Sequence, residues 1–429
     1  MNVQSPPPLG RLLVGLIVVG VLLGGQASSA PRTLSQVAHV DPGGGFNADV
    51  FTHGKFAYLA SWGLNVNTPA VCPSRGVRVY DLQDPRQPAL VATFADALSE
   101  PALAGTWTEK VIVRRVRTPS FKGDLAVTSV QHCLDGAFRG FALYDVTDPS
   151  SPRRLALYAT EPETGGSHEI WLARKGRHAY VYTAIPFSEL ETSADGTMPG
   201  RPDFRIIDVS DPRNPTVVGE WGAWQELGLR PDQGLGADPI RLVHSVITDP
   251  RATRAYLSYW DLGTVILDIS EPTNPTYLGR TPYASDAEGN AHSAALDRRR
   301  KLLIETDEDF SLASGAGEEV GWGYARIFDV SKVGAPVQRG AVKLPSTTQV
   351  PAPRAGVLSV HDPKLRGNRV YFSWYAEGVV VVDISDPANP ALIAQFVPPT
   401  NPAVWGVFLT RQFVLASDIN NGLYVLRLE

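Results

Sequence analysis

Six times the chain writes one phrase: an apolar strand, an Asp, and a turn closed by proline. It reads GVRVYDLQDPRQP at 76–88, GFALYDVTDPSSP at 140–152, FRIIDVSDPRNP at 204–215, TVILDISEPTNP at 264–275, YARIFDVSKVGAP at 324–336 and GVVVVDISDPANP at 378–390. At 422–429, GLYVLRLE opens the phrase a seventh time. Recurrence at about 60 residues of a unit made of strand and turn means one supersecondary unit copied around an axis. The length of 429 residues would by itself allow two or three domains. The repeat overrules that, because such units bury their faces only against their neighbours and share one closed core.

Residues 243–280 show one unit in full. VHSVIT, AYLSYW, TVILDI and TYLGRT are rich in β-branched and aromatic residues and are separated by turn residues. Four antiparallel strands in up-and-down order make a propeller blade. The pattern gives blades at 46–94, 108–160, 167–221, 242–280, 290–343, 355–397 and 402–429. The last has three strands, and residues 35–41 (SQVAHVD) are the available fourth, so that no strand edge is left open. The expected fold is all-β: a seven-bladed β-propeller of four-stranded antiparallel blades, closed by its N-terminal strand.

Asp81, Asp145, Asp208, Asp268, Asp329 and Asp383 end the third strands. A short carboxylate there accepts backbone N–H groups of the following turn, and the prolines preset its path. These six are read as structural. Repeat five has Ser331-Lys332-Val333 where the first proline would fall, which predicts a looser turn. The strand–Asp phrase, seen as VVVVD and TVILD, resembles the LVIVD-repeat family over nearly all of the chain after its leader. That resemblance implies a β-propeller at or outside the cell surface and implies no particular reaction.

Arg11, the apolar run 12–25 and the small residues QASSA make residues 1–30 a signal peptide, with 31–429 as the propeller. The run is shorter than the roughly 20 residues of a spanning helix, so the expectation is an extracytoplasmic chain with no membrane span after cleavage. The net charge is −5 and no basic stripe occurs, which argues against nucleic acid as a partner. Cys72 and Cys133 fall at the same place in consecutive repeats, and an oxidising compartment permits a disulfide between them.

Length variation is confined to the loops between second and third strands and between blades, which emerge on one face. Long loops on a rigid scaffold are where binding resides. Trp62, Trp107, Trp221, Trp224, Trp260, Trp322 and Trp374 fall at or near that face; some are expected to plug gaps between blades, the rest to meet a protein, a glycan or a small-molecule ligand.

Aligned by their second strands, His168, His244 and His292 occupy one level of the channel-lining first strands, with Arg114 at that level in blade 2 and Asn47 nearest it in blade 1. His361 falls about two residues further along. A transition-metal ion on His168, His244, His292 and His361 is one reading, since neutral imidazole suits such ions; hydrogen bonding to loops and channel water is the other. Seven-bladed carotenoid oxygenases hold iron on four axial histidines, but only the architecture is similar, and their motifs do not occur here. The run Glu305-Thr306-Asp307-Glu308-Asp309 reads as a solvated loop, and His39, His53, His132 and His178 as strand-end or turn residues. No nucleophile, zinc-protease or phosphate-loop motif is present, and the catalytic residues are not legible. Two functions remain open: a binding scaffold acting through the loop-rich, aromatic face, and a metal-dependent oxidoreductase with its site in the channel.

Overall fold

The third strands show why these residues form sheets. In Gly378–Asp383 the run Val379–Val382 is at most 1% exposed. Blades stacked face to face cover both sides of their middle strands, so the apolar run is continuous rather than alternating. The computed structural model describes residues 32–63, 72, 74–236, 239–284, 287–310 and 321–429; the expected signal peptide lies outside them. Among the described residues there are seven antiparallel sheets. Blade 4 runs Val243–Thr248, Arg254–Tyr259, Gly263–Asp268 and Thr276–Arg280 in spatial order. Blade 2 adds a short strand, Thr106–Trp107, against the end of Lys122–His132. The last blade is completed by Leu34–Val40 beside Gly422–Leu428, Leu34 opposite Leu428 and Val40 opposite Leu423. The fold is a seven-bladed β-propeller closed by its N-terminal strand. No described helix is long and apolar enough to cross a membrane.

All six phrase aspartates accept a backbone N–H from two residues on, as in Gln83 to Asp81 at 2.7 Å and Ser385 to Asp383 at 2.7 Å. The proline-poor turn of repeat five is no exception: Ser331 donates to Asp329 at 2.9 Å and Ala335 to the Lys332 carbonyl at 3.0 Å. The looser turn expected there is not found, because the carboxylate and the backbone bond hold it without the ring. The turns of blades 4, 5 and 6 pack on the outer strand of the preceding blade. A Cβ at Gly219 would overlap the Pro272 carbonyl, and one at Gly340 the Pro387 carbonyl. Cys72 and Cys133 are disulfide-bonded with Cα atoms 5.8 Å apart.

Candidate metal centre in the channel

Most first strands enter the channel through a local irregularity. Pairing slips between Val243 and Ser245 in blade 4, Ala291 and Ser293 in blade 5, and Val404 and Gly406 in blade 7. In blade 3, His168 donates its N–H to the Ala184 carbonyl (3.0 Å) while Ala184 donates to Glu169 (2.9 Å). In blade 6, His361 and Asp362 face Ser373 in the same way, at 2.9 and 3.0 Å. Two residues against one is a β-bulge, and a bulge re-aims the extra side chain. Here it turns His168, His244, His292, His361 and Trp405 towards the axis. Successive rings lie 4.3, 4.0, 4.2 and 4.4 Å apart between centroids.

His361 therefore belongs to the arc, and its expected offset is corrected. The hairpin of blade 6 is shorter, running from His361 to its bulge partner Ser373, against His292 to Thr306 in blade 5. The shortening moves the second strand used for alignment and leaves the histidine in place. Arg114 is not at this level. It stacks over Trp171 at 4.9 Å, donates to the Leu172 carbonyl at 2.9 Å and lines the opposite mouth of the channel with His53 and Thr248. Blade 2 instead offers Glu109, whose carboxylate lies 2.7 Å from His168 Nδ1. Asn47 is also off the arc: its amide donates to the Asp418 and Ile419 carbonyls at 3.3 and 3.2 Å, tying blade 1 to blade 7.

The acidic run is not a solvated loop. Glu305, Asp307 and Glu308 are buried. Glu305 accepts the Thr264 N–H at 2.8 Å and the hydroxyls of Thr264 and Thr281 at 2.6 Å each. Asp307 pairs with Arg326 and accepts the Tyr283 hydroxyl at 2.8 Å. Glu308 reaches over the arc, 3.6 Å from His292 Nε2 and 3.8 Å from His361 Nε2, and accepts the Tyr375 hydroxyl.

The histidine protons follow from their partners. His244 Nδ1 lies 3.1 Å from the His292 carbonyl, and His292 Nδ1 3.1 Å from the His361 carbonyl. A carbonyl only accepts, so His244 Nδ1 carries hydrogen and its Nε2 presents a lone pair; His292 Nδ1 also lies 2.7 Å from the Ser293 hydroxyl, which can donate or accept. Burial holds His244, His292 and His361 well below the usual histidine range, and neighbouring rings add to the effect. Burial also pulls on His168, but the Glu109 carboxylate outweighs it and raises that ring. His168 Nε2 then meets the lone pair of His244 Nε2 at 2.7 Å. Burial pushes Glu308 up to about 8, against the Tyr375 hydrogen bond.

Below the rings Lys110 closes the channel, 3.2 Å from Asp49, 3.1 Å from Glu169 and 3.9 Å from Asp362. Burial opposes its charge, yet those three carboxylates hold it protonated.

One donor atom each from His244, His292 and Glu308 lie within 4.8 Å of one another. Tetrahedral ligands at roughly 2.1 Å from an ion lie about 3.4 Å from one another, so the widest of these separations would have to close by about 1.4 Å to complete the set. Trp260 packs against His244 and His292 at 5.3 and 6.4 Å. Of the other tryptophans, Trp221, Trp224 and Trp374 are buried, while Trp62, Trp107 and Trp322 are half-buried.

The LVIVD-repeat model matches residues 201–221, 255–281 and 359–397. The chain carries LVIVD repeats at these three stretches. Its matched stretches cover the third-strand phrase of blades 3, 4 and 6, and the last of them includes His361. No curated protein matches this chain. Among solved structures, the computationally designed Ika8 protein is similar over 91% of this chain and 99% of its own, at 8% identity and a TM-score of 0.49, a likeness too slight to bear on function.

Proposed function

We propose that this propeller holds one divalent first-row transition-metal ion on His244, His292 and Glu308, with His168 and His361 flanking it, and takes a small molecule in the cavity above. The observation that carries this is the convergence of two imidazoles and a buried carboxyl whose donor atoms lie within 4.8 Å of one another, with the His244 and His292 Nδ1 atoms turned to backbone carbonyls. Two imidazoles and a carboxylate suit ions such as iron or zinc and leave coordination positions open. When bound, the ion would supply the Lewis-acid or redox chemistry of a metal-dependent oxidoreductase. The chain's own part is to fix the ring tautomers, hold Glu308 through Tyr375 and exclude bulk water. The apolar leader and the Cys72–Cys133 bridge support an exported chain in an oxidising compartment.

A second reading, a metal-free binding scaffold, is favoured by the His168–His244 contact at 2.7 Å, which already occupies one lone pair. Elemental analysis after loading with iron, zinc, copper or manganese separates the two. The metal centre predicts about one ion per chain, falling below about a tenth in folded His292→Ala and Glu308→Gln. Loading of the wild type no greater than that of these variants would leave the scaffold reading.

A further inference from the structure

The opposite mouth of the channel holds a second cavity, of about 440 Å³, in the range of roughly 300–1,000 Å³ that small organic ligands occupy. It lies between the far ends of the first strands of blades 1 to 4, Asn47–His53, Val111–Arg117, Ile170–Lys175 and Val243–Thr248. Arg114 is at its centre. The side chain is half-buried, its Nε donates to the Leu172 carbonyl at 2.9 Å, and its Cζ lies 4.9 Å over the Trp171 ring. Trp171 is itself fixed, donating its Nε1–H to the Thr248 hydroxyl at 3.1 Å. The two terminal nitrogens of Arg114 have no hydrogen-bond or carboxylate partner among the described residues. Burial pulls its pKa down, and no neighbouring charge offsets that pull. A half-buried guanidinium without a counter-ion is unfavourable in the free protein, and an entering anion relieves it.

The other charges at this mouth are mostly engaged. Arg115 and His53 share Asp124, at 3.2 and 3.1 Å. Asp249 accepts three bonds from its own turn: the N–H groups of Thr253 (2.6 Å) and Arg254 (3.1 Å) and the Thr253 hydroxyl (3.0 Å). Arg174 is exposed and reaches only the Gly176 carbonyl, at 3.5 Å. Three guanidinium groups thus face two carboxylates, one of which already bridges Arg115 and His53. The carboxylates around Lys110 lie four residues further up the same strands, Asp49 above His53 and Lys110 above Arg114, about 13 Å away. Lys110 and Lys364 offset them in part, and the separation exceeds the Debye length of about 8 Å at physiological salt.

We infer that this mouth binds a small organic monocarboxylate, its head group held by the terminal nitrogens of Arg114 and the Thr248 hydroxyl, with Arg174 beside it. The edge of a guanidinium presents two parallel N–H donors that match a planar carboxylate. The Thr248 oxygen accepts from Trp171, so its own hydrogen remains to donate. Val113, Ala173 and Pro250 supply apolar contact for a short hydrocarbon body. Asp249 in the same wall disfavours a second negative charge, which selects a monoanion over a phosphate dianion.

The test uses the full chain after chelator treatment, so that no metal competes for the carboxylate. Benzoate, phenyl phosphate and benzylamine share one ring and differ in head group; calorimetry ranks their affinities. Benzoate should bind at least about tenfold more tightly than either of the others, which corresponds to 1.4 kcal/mol. Arg114→Lys keeps the charge and loses the paired donors, and should weaken benzoate by about tenfold, as loss of one hydrogen bond to a charged group does. Arg174→Gln, at an exposed position, should weaken it by about threefold. Ile240→Trp, which fills the cavity above the histidine arc, should leave benzoate binding unchanged and so place it at the opposite mouth. Phenyl phosphate or benzylamine binding as tightly as benzoate overturns the inference. So does benzoate affinity that Arg114→Lys and Arg174→Gln leave unchanged, or no binding of benzoate to the wild type at millimolar concentration. None of these outcomes depends on whether the histidine arc takes a metal.

Discussion

Lys110 is the residue whose loss should be felt most widely. It lies in the channel with Asp49, Glu169 and Asp362 around it, and removing one partner of a buried ionic cluster strands the others. Lys110→Met should lower stability by about 3–5 kcal/mol, read by chemical denaturation, and Lys110→Arg should recover part of it. Asp203 makes the opposite kind of demand. Burial, with Glu189 beside it, pushes its carboxyl up to about 8, and it accepts the Glu189 N–H at 2.8 Å and the Tyr259 hydroxyl at 3.1 Å. A raised carboxyl binds its proton in the folded chain where the unfolded chain has released it, so stability from this group is greatest below the ordinary Asp range. It is lost as pH rises from about 4 to about 8. Asp203→Asn should therefore flatten the pH dependence of unfolding across that window; an unchanged slope would place the proton elsewhere.

At the scale of elements, the Asp–Pro turn and the bulge explain what the sequence could and could not reveal. The turn is legible because its determinants are local: an acceptor two residues from its N–H and a preset φ. In blades 3, 4 and 5 the docking of the next turn is also written locally, as a glycine in the outer strand (Gly219, Gly279 and Gly340). Gly340→Val should cost about 1–3 kcal/mol, as overpacking does, measured as a lowered unfolding midpoint, since its Cβ would meet the Pro387 backbone. The bulge is not legible, because it depends on how two strands pair. Aligning on second-strand aromatics found His168, His244 and His292 but displaced His361, and it put Arg114 where Glu109 stands. A better signal was present in the first strands: Glu109-Lys110-Val111, His168-Glu169-Ile170, His244-Ser245-Val246, His361-Asp362-Pro363 and Trp405-Gly406-Val407 share a frame. Glu308 carries no such frame. Its acidic neighbours made it look solvated, and only the closure of the ring brings Tyr375 and the histidines of blades 5 and 6 around it.

For the whole molecule, the ring turns a weak local feature into a site. One bulged residue per blade is unremarkable by itself; seven blades around an axis bring those residues to one level, and the loop-rich face places a cavity over them. The disc was readable from its repeat, and its closure from the missing seventh outer strand, which Leu34–Val40 supplies. The central claim is that the arc converges on one ion. Anomalous diffraction from metal-loaded crystals, collected on both sides of the metal's absorption edge, tests it most directly. The account predicts a single peak in the channel about 2.0–2.2 Å from Nε2 of His244 and His292 and from a Glu308 oxygen. Crystals that show no peak at the arc, or a peak only at surface residues, would contradict it.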